Sequence, residues 1–223
     1  MECFRVENWG PKVKLISITP KAEEIIEKAY RNCWRSEPKK LGEEARREFI
    51  EKCIRRGHLS PLEFAFATFE IVGSRAYTHQ QVRHRIASYA QESQRYVKVD
   101  DPNYIVIPPK IQDNSKALEI FFEAIKNAWS AYQALLELGI KKEDARYVLP
   151  NACKSKIFVG MNFRAWRHFI KLRCDVSAQW EIREVATKIL KILYNEAPSV
   201  FADLYRKFVI EREGKKELWT QWD

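Results

Sequence analysis

Residues 80–96 read Gln-Gln-Val-Arg-His-Arg-Ile-Ala-Ser-Tyr-Ala-Gln-Glu-Ser-Gln-Arg-Tyr. The stretch sets Arg83, His84, Arg85 and Arg95 among Gln80, Gln91, Ser88 and Ser93. Guanidinium forks bind phosphate in bidentate fashion, and side-chain amides read the polar edge of a base. Together they suit a planar, polyanionic ligand. No glycine lies within the segment, so no Gly-rich phosphate loop accompanies it.

Other residues able to do chemistry are dispersed. Ser93 invites a nucleophilic reading, but the sequence sets no histidine beside it as a base, and an unactivated hydroxyl is a poor nucleophile. A hydrogen-bonding role is the better expectation. Arg164 and His168 are four apart and share a face if their segment is helical. Taken alone, His168 reads as a half-buried histidine, and Arg146 or Arg173 as half of a surface ion pair. Gln80 and Arg83, three apart, would point at one ligand if that segment were helical. His79 and His84 are five apart, which misses the His-x-x-x-His zinc spacing, so no metal site is expected. The 5 cysteines form no Cys-x-x-Cys pair.

The elements that must position these groups follow from periodicity. An opening strand over residues 3–18 with a turn at Trp9-Gly10-Pro11 precedes a helix starting near Thr19-Pro20. A second helix covers 42–56 and stops at Gly57. The aromatic and β-branched run 64–72 predicts a strand, after which Ser74 caps a short helix towards Arg83. Tyr104-Ile-Val-Ile is extended. The clearest amphipathic helix covers 114–139, capped by Asn114 or Ser115 and ended by Gly139. A short helix at 141–146 and a strand over 152–163 follow. Helices at 163–174 and 179–195 come next, and Pro198 opens a last one. Long helices with short dispersed strands predict one α+β domain over residues 1–223, its helices packed on a mixed or antiparallel sheet. The tail at 217–223 carries two tryptophans, which suggests contact with another subunit.

Composition bounds the partners. The chain has 223 residues, 46% hydrophobic, and a net charge of +9, which favours anionic ligands. The odd cysteine count and an N-terminus without an export signal point to a cytoplasmic setting. No apolar run reaches the roughly 20 residues of a membrane helix.

Arg83-His84-Arg85, seven residues, then Ser93 with Arg95 two further on, resembles the signature of the flavin-dependent thymidylate synthases. Upstream, Gly57-His58-Leu59-Ser60-Pro61-Leu62-Glu63-Phe64 resembles that family's segment before its first long strand. Downstream, Ala145-Arg146-Tyr147-Val148-Leu149-Pro150, Asn162-Phe163-Arg164 and His168 to Ile182 are similar to further blocks in the same order. Two positions depart from the pattern: Ala90 stands where relatives often carry Asn or Ser, and Gln91 where some carry Glu.

The resemblance implies a homotetramer with bound FAD, making dTMP from dUMP. The one-carbon donor would be 5,10-methylenetetrahydrofolate, and NADPH would supply reducing equivalents through the flavin. It implies FAD contacts from His58, Ser60, Arg83, His84, Arg85, Gln91, Asn162, Phe163, Arg164 and His168. It implies dUMP contacts from Gln80, Gln81, Val82, Arg83, Gln91, Glu92, Ser93, Gln94, Arg95, Arg146 and Arg173. Arg173 would polarise the uracil as the catalytic residue, and sites would be shared between subunits. Neither nucleic acid nor membrane is expected as a partner. The competing readings are a basic nucleic-acid-binding module and a ligand-free assembly protein. No zinc-finger or RNP motif supports the first.

Overall fold

A computed structural model describes residues 10–38 and 42–213. The expected strand before residue 10 and the tryptophan tail lie outside the described residues. Among the described residues four strands, β1 (Lys12–Ile18), β2 (Phe66–Ser74), β3 (Ser88–Gln91) and β4 (Lys154–Asn162), pair in the antiparallel order β1-β2-β4-β3. The helices are α1 (Ala22–Cys33), α2 (Glu43–Arg55), α3 (Arg75–Gln81), α4 (Pro109–Gln112) and α5 (Ser115–Glu137). They continue with α6 (Lys142–Ala145), α7 (Phe163–Arg173), α8 (Trp180–Glu196) and α9 (Pro198–Tyr205). The α+β expectation therefore holds, with the sheet antiparallel rather than mixed.

Local chemistry explains most boundaries. Ser74 caps α3 by accepting from Tyr77 N at 3.0 Å, and Asn114 caps α5 by accepting from Ala117 N at 3.0 Å. Gly57 ends the second helix at φ 79°, a left-handed conformation that costs glycine nothing. Pro20 lies ahead of α1 rather than in its first turn, because Lys21 adopts φ 50° and the helix begins at Ala22. Arg206–Ile210 is π-helical and extends α9.

The chain folds as two compact units. One is built mainly from Ile71–Arg83 and Ala90–Ile157. Its core joins Ile105, Ile107 and Ile125, packed by Leu118, Phe121 and Phe122. The extended residues 104–106 pair with 152–154: Val106 N donates to the Ala152 carbonyl at 2.8 Å and Lys154 N to the Tyr104 carbonyl at 2.9 Å. Helix α5 buries Ile125 and Tyr132, yet Ile120 is 62% exposed and Leu138 79% exposed on it or at its end.

The other unit is built mainly from Val13–Glu70, His84–Tyr89 and the chain from Phe158 onward. Trp166 centres its core, edge-on to Phe69 at 5.1 Å and Phe169 at 5.6 Å, its indole N–H donating to the Ala67 carbonyl at 3.0 Å. Ile182, Val185, Ile189 and Leu193 of α8 and Val200 and Phe201 of α9 are fully buried. Gly160 is required by close approach: a Cβ there would lie 2.9 Å from the Phe66 ring. Helix α7 buries Phe163, Trp166, Arg167, Phe169 and Ile170, leaving Arg164 and His168 on its outer face.

Candidate functional site

In the first unit, α3 ends at Gln81, so Arg83 lies just past the helix instead of on it. Its Nη2 sits 3.1 Å from His79 Nε2. Gln81 is fully buried and accepts from the Tyr77 hydroxyl at 3.1 Å, while Val82 is exposed. A buried Gln81 side chain can serve a ligand only by shaping its surroundings. Gln91 ends β3. Its Nε2 donates to both Thr78 Oγ1 and Ser155 Oγ at 3.0 Å, so both amide protons are used and Oε1 remains as acceptor.

Residues 92–97 form a turn held at both ends. Glu92 N donates to the Lys156 carbonyl at 2.8 Å, and Tyr96 N and Val97 N donate to the Ser93 carbonyl at 3.1 and 2.9 Å. The Ser93 hydroxyl accepts from Arg95 N at 3.3 Å. Arg95 Nε donates to the Glu143 carboxylate at 2.9 Å, and Arg146 Nε to the Glu143 carbonyl at 3.0 Å. One residue of α6 thus gathers two guanidiniums that are far apart in sequence. Each uses Nε, so its terminal nitrogens remain the donors suited to a phosphate. Gln94 borders a cavity of about 230 Å³ with Glu92, Lys98, Asp101, Tyr104 and Lys154. Burial pushes the Lys154 ammonium below its ordinary range, and the nearby charge of Lys12 adds to the shift.

In the second unit, His58 and Ser60 are exposed between α2 and β2. The Tyr30 hydroxyl donates to the His58 carbonyl, and the Trp34 ring stands edge-on to the His58 ring at 5.7 Å. Burial drives the Tyr30 phenol upward, so it stays protonated as the donor of that bond. Ser60 opens a 3₁₀ turn with Pro61 beside it. Arg164 Nη1 bonds Glu63 at 2.6 Å, which ties that turn to α7. Asn162 Oδ1 caps α7 by accepting from Ala165 N at 2.8 Å. Phe163 is fully buried, and its backbone N–H donates to the Ala65 carbonyl at 2.8 Å.

The same unit holds His84 and the exposed Arg85. Arg173 Nε donates to His84 Nε2 at 3.0 Å. The His84 ring lies edge-on to Phe169 at 4.9 Å and to His168 at 6.2 Å. Burial, then the Arg173 charge, then His168, lower its pKa to about 4. At neutral pH it is an uncharged imidazole.

Comparison with known proteins decides what such a set belongs to. Residues 14–199 match the family model described as thymidylate synthase complementing protein. The flavin-dependent thymidylate synthase of Clostridium tetani is 41% identical over 220 residues, covering 89% of this chain and 88% of its own. The Geobacter sulfurreducens enzyme of the same name is 42% identical over 199 residues, covering 86% of each. The chain belongs to the flavin-dependent thymidylate synthase family. Its backbone also resembles the crystal structure of a UMP/dUMP methylase, PolB from Streptomyces cacaoi bound with 5-Br dUMP. That match has a TM-score of 0.78 at 23% identity, covers 89% of this chain and 95% of that one, and bears on the fold alone.

A flavin-dependent thymidylate synthase must hold FAD, and the second unit's donor set fits such a group. Arg164 offers guanidinium donors suited to a diphosphate or an electron-rich ring edge. His84 is kept neutral, and His58 and His168 add exposed imidazoles. Sequence reasoning missed the residues that hold these groups: Thr78 and Ser155 at Gln91, Glu143 at Arg95 and Arg146, and Tyr30 and Trp34 at His58. Glu63 at Arg164 and His84 at Arg173 lay inside motifs already singled out.

Proposed function

We propose that the protein catalyses the reductive methylation of dUMP to dTMP as an FAD-dependent methyltransferase. The carbon comes from 5,10-methylenetetrahydrofolate and the reducing equivalents from NADPH. Family membership over residues 14–199 carries this reading. Bound FAD supplies the redox step. The chain's own residues bind, orient and stabilise charge.

In this reading Arg95 and Arg146, gathered by Glu143, clamp the dUMP phosphate together with Arg83. Gln80, Gln81, Val82, Gln91, Glu92, Ser93 and Gln94 shape the nucleotide site, Ser93 as a hydrogen-bonding group. Arg173 stabilises negative charge developing on the uracil; its guanidinium stays charged and gives up no proton. His58, Ser60, Arg83, His84, Arg85, Gln91, Asn162, Phe163, Arg164 and His168 serve the flavin. Burial pushes the Cys153 and Cys174 thiols up to about 11 and raises Cys53 as well, so none of these three is a thiolate nucleophile at neutral pH.

The chain acts as a single functional domain within a homotetramer whose sites are completed by different copies. Exposed apolar side chains on and beside α5, Ile120 and Leu138 among them, support a second copy of the chain as the occupant of that face. A cytoplasmic setting agrees with the free cysteines Cys33, Cys53, Cys153 and Cys174. No helix among the described residues is long and apolar enough to cross a membrane.

The test is anaerobic turnover of purified protein with dUMP, 5,10-methylenetetrahydrofolate and NADPH, with dTMP read by chromatography. A yellow preparation that forms dTMP only with all three additions is the expected outcome. A flavin-loaded protein that forms no dTMP would overturn the reading.

A further inference from the structure

Arg173 and His84 lie 89 residues apart in sequence, yet Arg173 Nε donates to His84 Nε2 at 3.0 Å. An arginine Nε–H can only donate. The ring nitrogen facing it must carry a lone pair, so His84 is neutral with its proton on Nδ1. Two ring contacts and one backbone contact surround this residue. Phe169 packs edge-on at 4.9 Å, His168 lies at 6.2 Å, and the Tyr89 hydroxyl donates to the His84 carbonyl at 2.7 Å. Arg173 is the last residue of α7, where one side of its guanidinium is tethered and four terminal N–H donors remain in a plane.

We propose that His84 is a positioning residue for Arg173. The imidazole occupies Nε and so commits the guanidinium to meet its ligand end-on, through Nη1 and Nη2. That edge carries two parallel donors, which complement two adjacent acceptors in one plane. On the thymidylate synthase reading those acceptors are a carbonyl oxygen and the neighbouring ring nitrogen of the uracil of dUMP. The inference rests on the thymidylate synthase reading for the identity of the ligand, but not for the hydrogen bond itself.

Two measurements test it, the first on the protein without added substrates. Histidine-selective ¹⁵N–¹H correlation spectra at pH 7 should give His84 an unprotonated Nε2 and a protonated Nδ1. In Arg173→Ala that Nε2 signal should shift. A proton on Nε2 in the native protein, or no shift in the variant, overturns the pairing.

The second compares His84→Phe, which keeps a ring against Phe169 but no acceptor, with His84→Gln, which restores an acceptor. With flavin content and thermal midpoint recorded for each, the Phe variant should bind dUMP roughly tenfold or more weakly and turn over more slowly, because a charge-assisted hydrogen bond is lost. The Gln variant should recover most of both, and His84→Phe should add little to Arg173→Ala. Equal impairment of Phe and Gln, or native dUMP affinity in the Phe variant, refutes the proposal. So does loss of flavin from the Phe variant with flavin retained in Arg173→Ala, since the weakened dUMP binding would then follow from the missing flavin and not from Arg173. Absence of dTMP formation by the native protein would sink the functional reading while leaving the tautomer result to stand or fall by itself.

Discussion

Replacing Asp203 by alanine should destabilise the protein more than replacing its partner, Arg167, by methionine. The Arg167 side chain is 3% exposed and that of Asp203 is 50% exposed. Arg167 Nη1 donates to the Val200 carbonyl and to Asp203 Oδ1 at 2.7 Å, and Nη2 donates to Oδ2 at 2.6 Å. Its buried Nε has no hydrogen-bond partner among the described residues. Asp203→Ala strands a desolvated guanidinium on one carbonyl, a situation that costs about 3–5 kcal/mol. Arg167→Met removes the cation and fills its space with an apolar chain. It leaves a half-hydrated carboxylate and one carbonyl short of a donor, and it should cost about 1–3 kcal/mol. At roughly 2–4 °C per kcal/mol for a chain of this size, the Met variant melts about 2–12 °C lower and the Ala variant further still. The double variant should fall within about 1 kcal/mol of Arg167→Met, because the carboxylate has already lost its partner. Urea unfolding followed by circular dichroism is the assay. Protein concentration must be held fixed, since any subunit assembly makes stability depend on it. Equal losses in the two single variants, or a larger loss in Arg167→Met, would refute the argument that the guanidinium is the desolvated partner.

Three other outcomes are expected. Ser93→Ala should bind dUMP more weakly or turn over more slowly by the equivalent of about 0.5–3 kcal/mol while still forming dTMP; a nucleotide adduct trapped on the native serine would instead establish covalent catalysis. Mixing Arg83→Ala with Arg173→Ala protein should restore activity that neither has alone, if different copies complete each site; persistent inactivity in a verified mixed oligomer counts against sharing. Acid should weaken the fold through His84, which faces Arg173 and His168 from α7 and the Tyr89 hydroxyl from its own segment. Its folded value of about 4 lies below the ordinary 6.5, so the unfolded chain binds a proton the folded chain refuses. The resulting stability is complete above pH 6.5, declines as pH falls towards 4, and levels off below that. The full difference would be about 3 kcal/mol, and partial solvent access reduces it to about 1–2 kcal/mol. His84→Gln should flatten that stretch of the stability–pH curve, and an unchanged slope would remove His84 as its source.

How far the sequence could be read depended on whether a feature is local. Helix α5 was legible because its 3.6-residue apolar period and its Asn114 cap lie within one segment, and the 66–74 strand because its aromatic and β-branched residues run together. Strand β3 was not. Ser88-Tyr-Ala-Gln has no apolar alternation, and it becomes a strand only by pairing along β4. Helix α4 is four residues opened by Pro109, too short to carry a period.

The candidate site divides along the same line. The spacing from Arg83 to Ser93 is a one-dimensional fact and needed no fold. What each side chain binds within the protein is not. Gln91, expected to read a ligand, spends its amide protons on Thr78 and on Ser155, 64 residues away. Asn162, expected at the flavin, uses Oδ1 to start α7, and so its amide oxygen supports the helix that carries Arg164, His168 and Arg173. A polar residue near a ligand must satisfy its own hydrogen bonds before it can orient anything else. Motif matching names the residues that meet the ligand, whereas the tertiary structure decides which atoms of each remain available to it. For Arg173 that distinction is sharpest: the sequence identifies a cation, and only its bond to His84 says which edge of the cation is left to act.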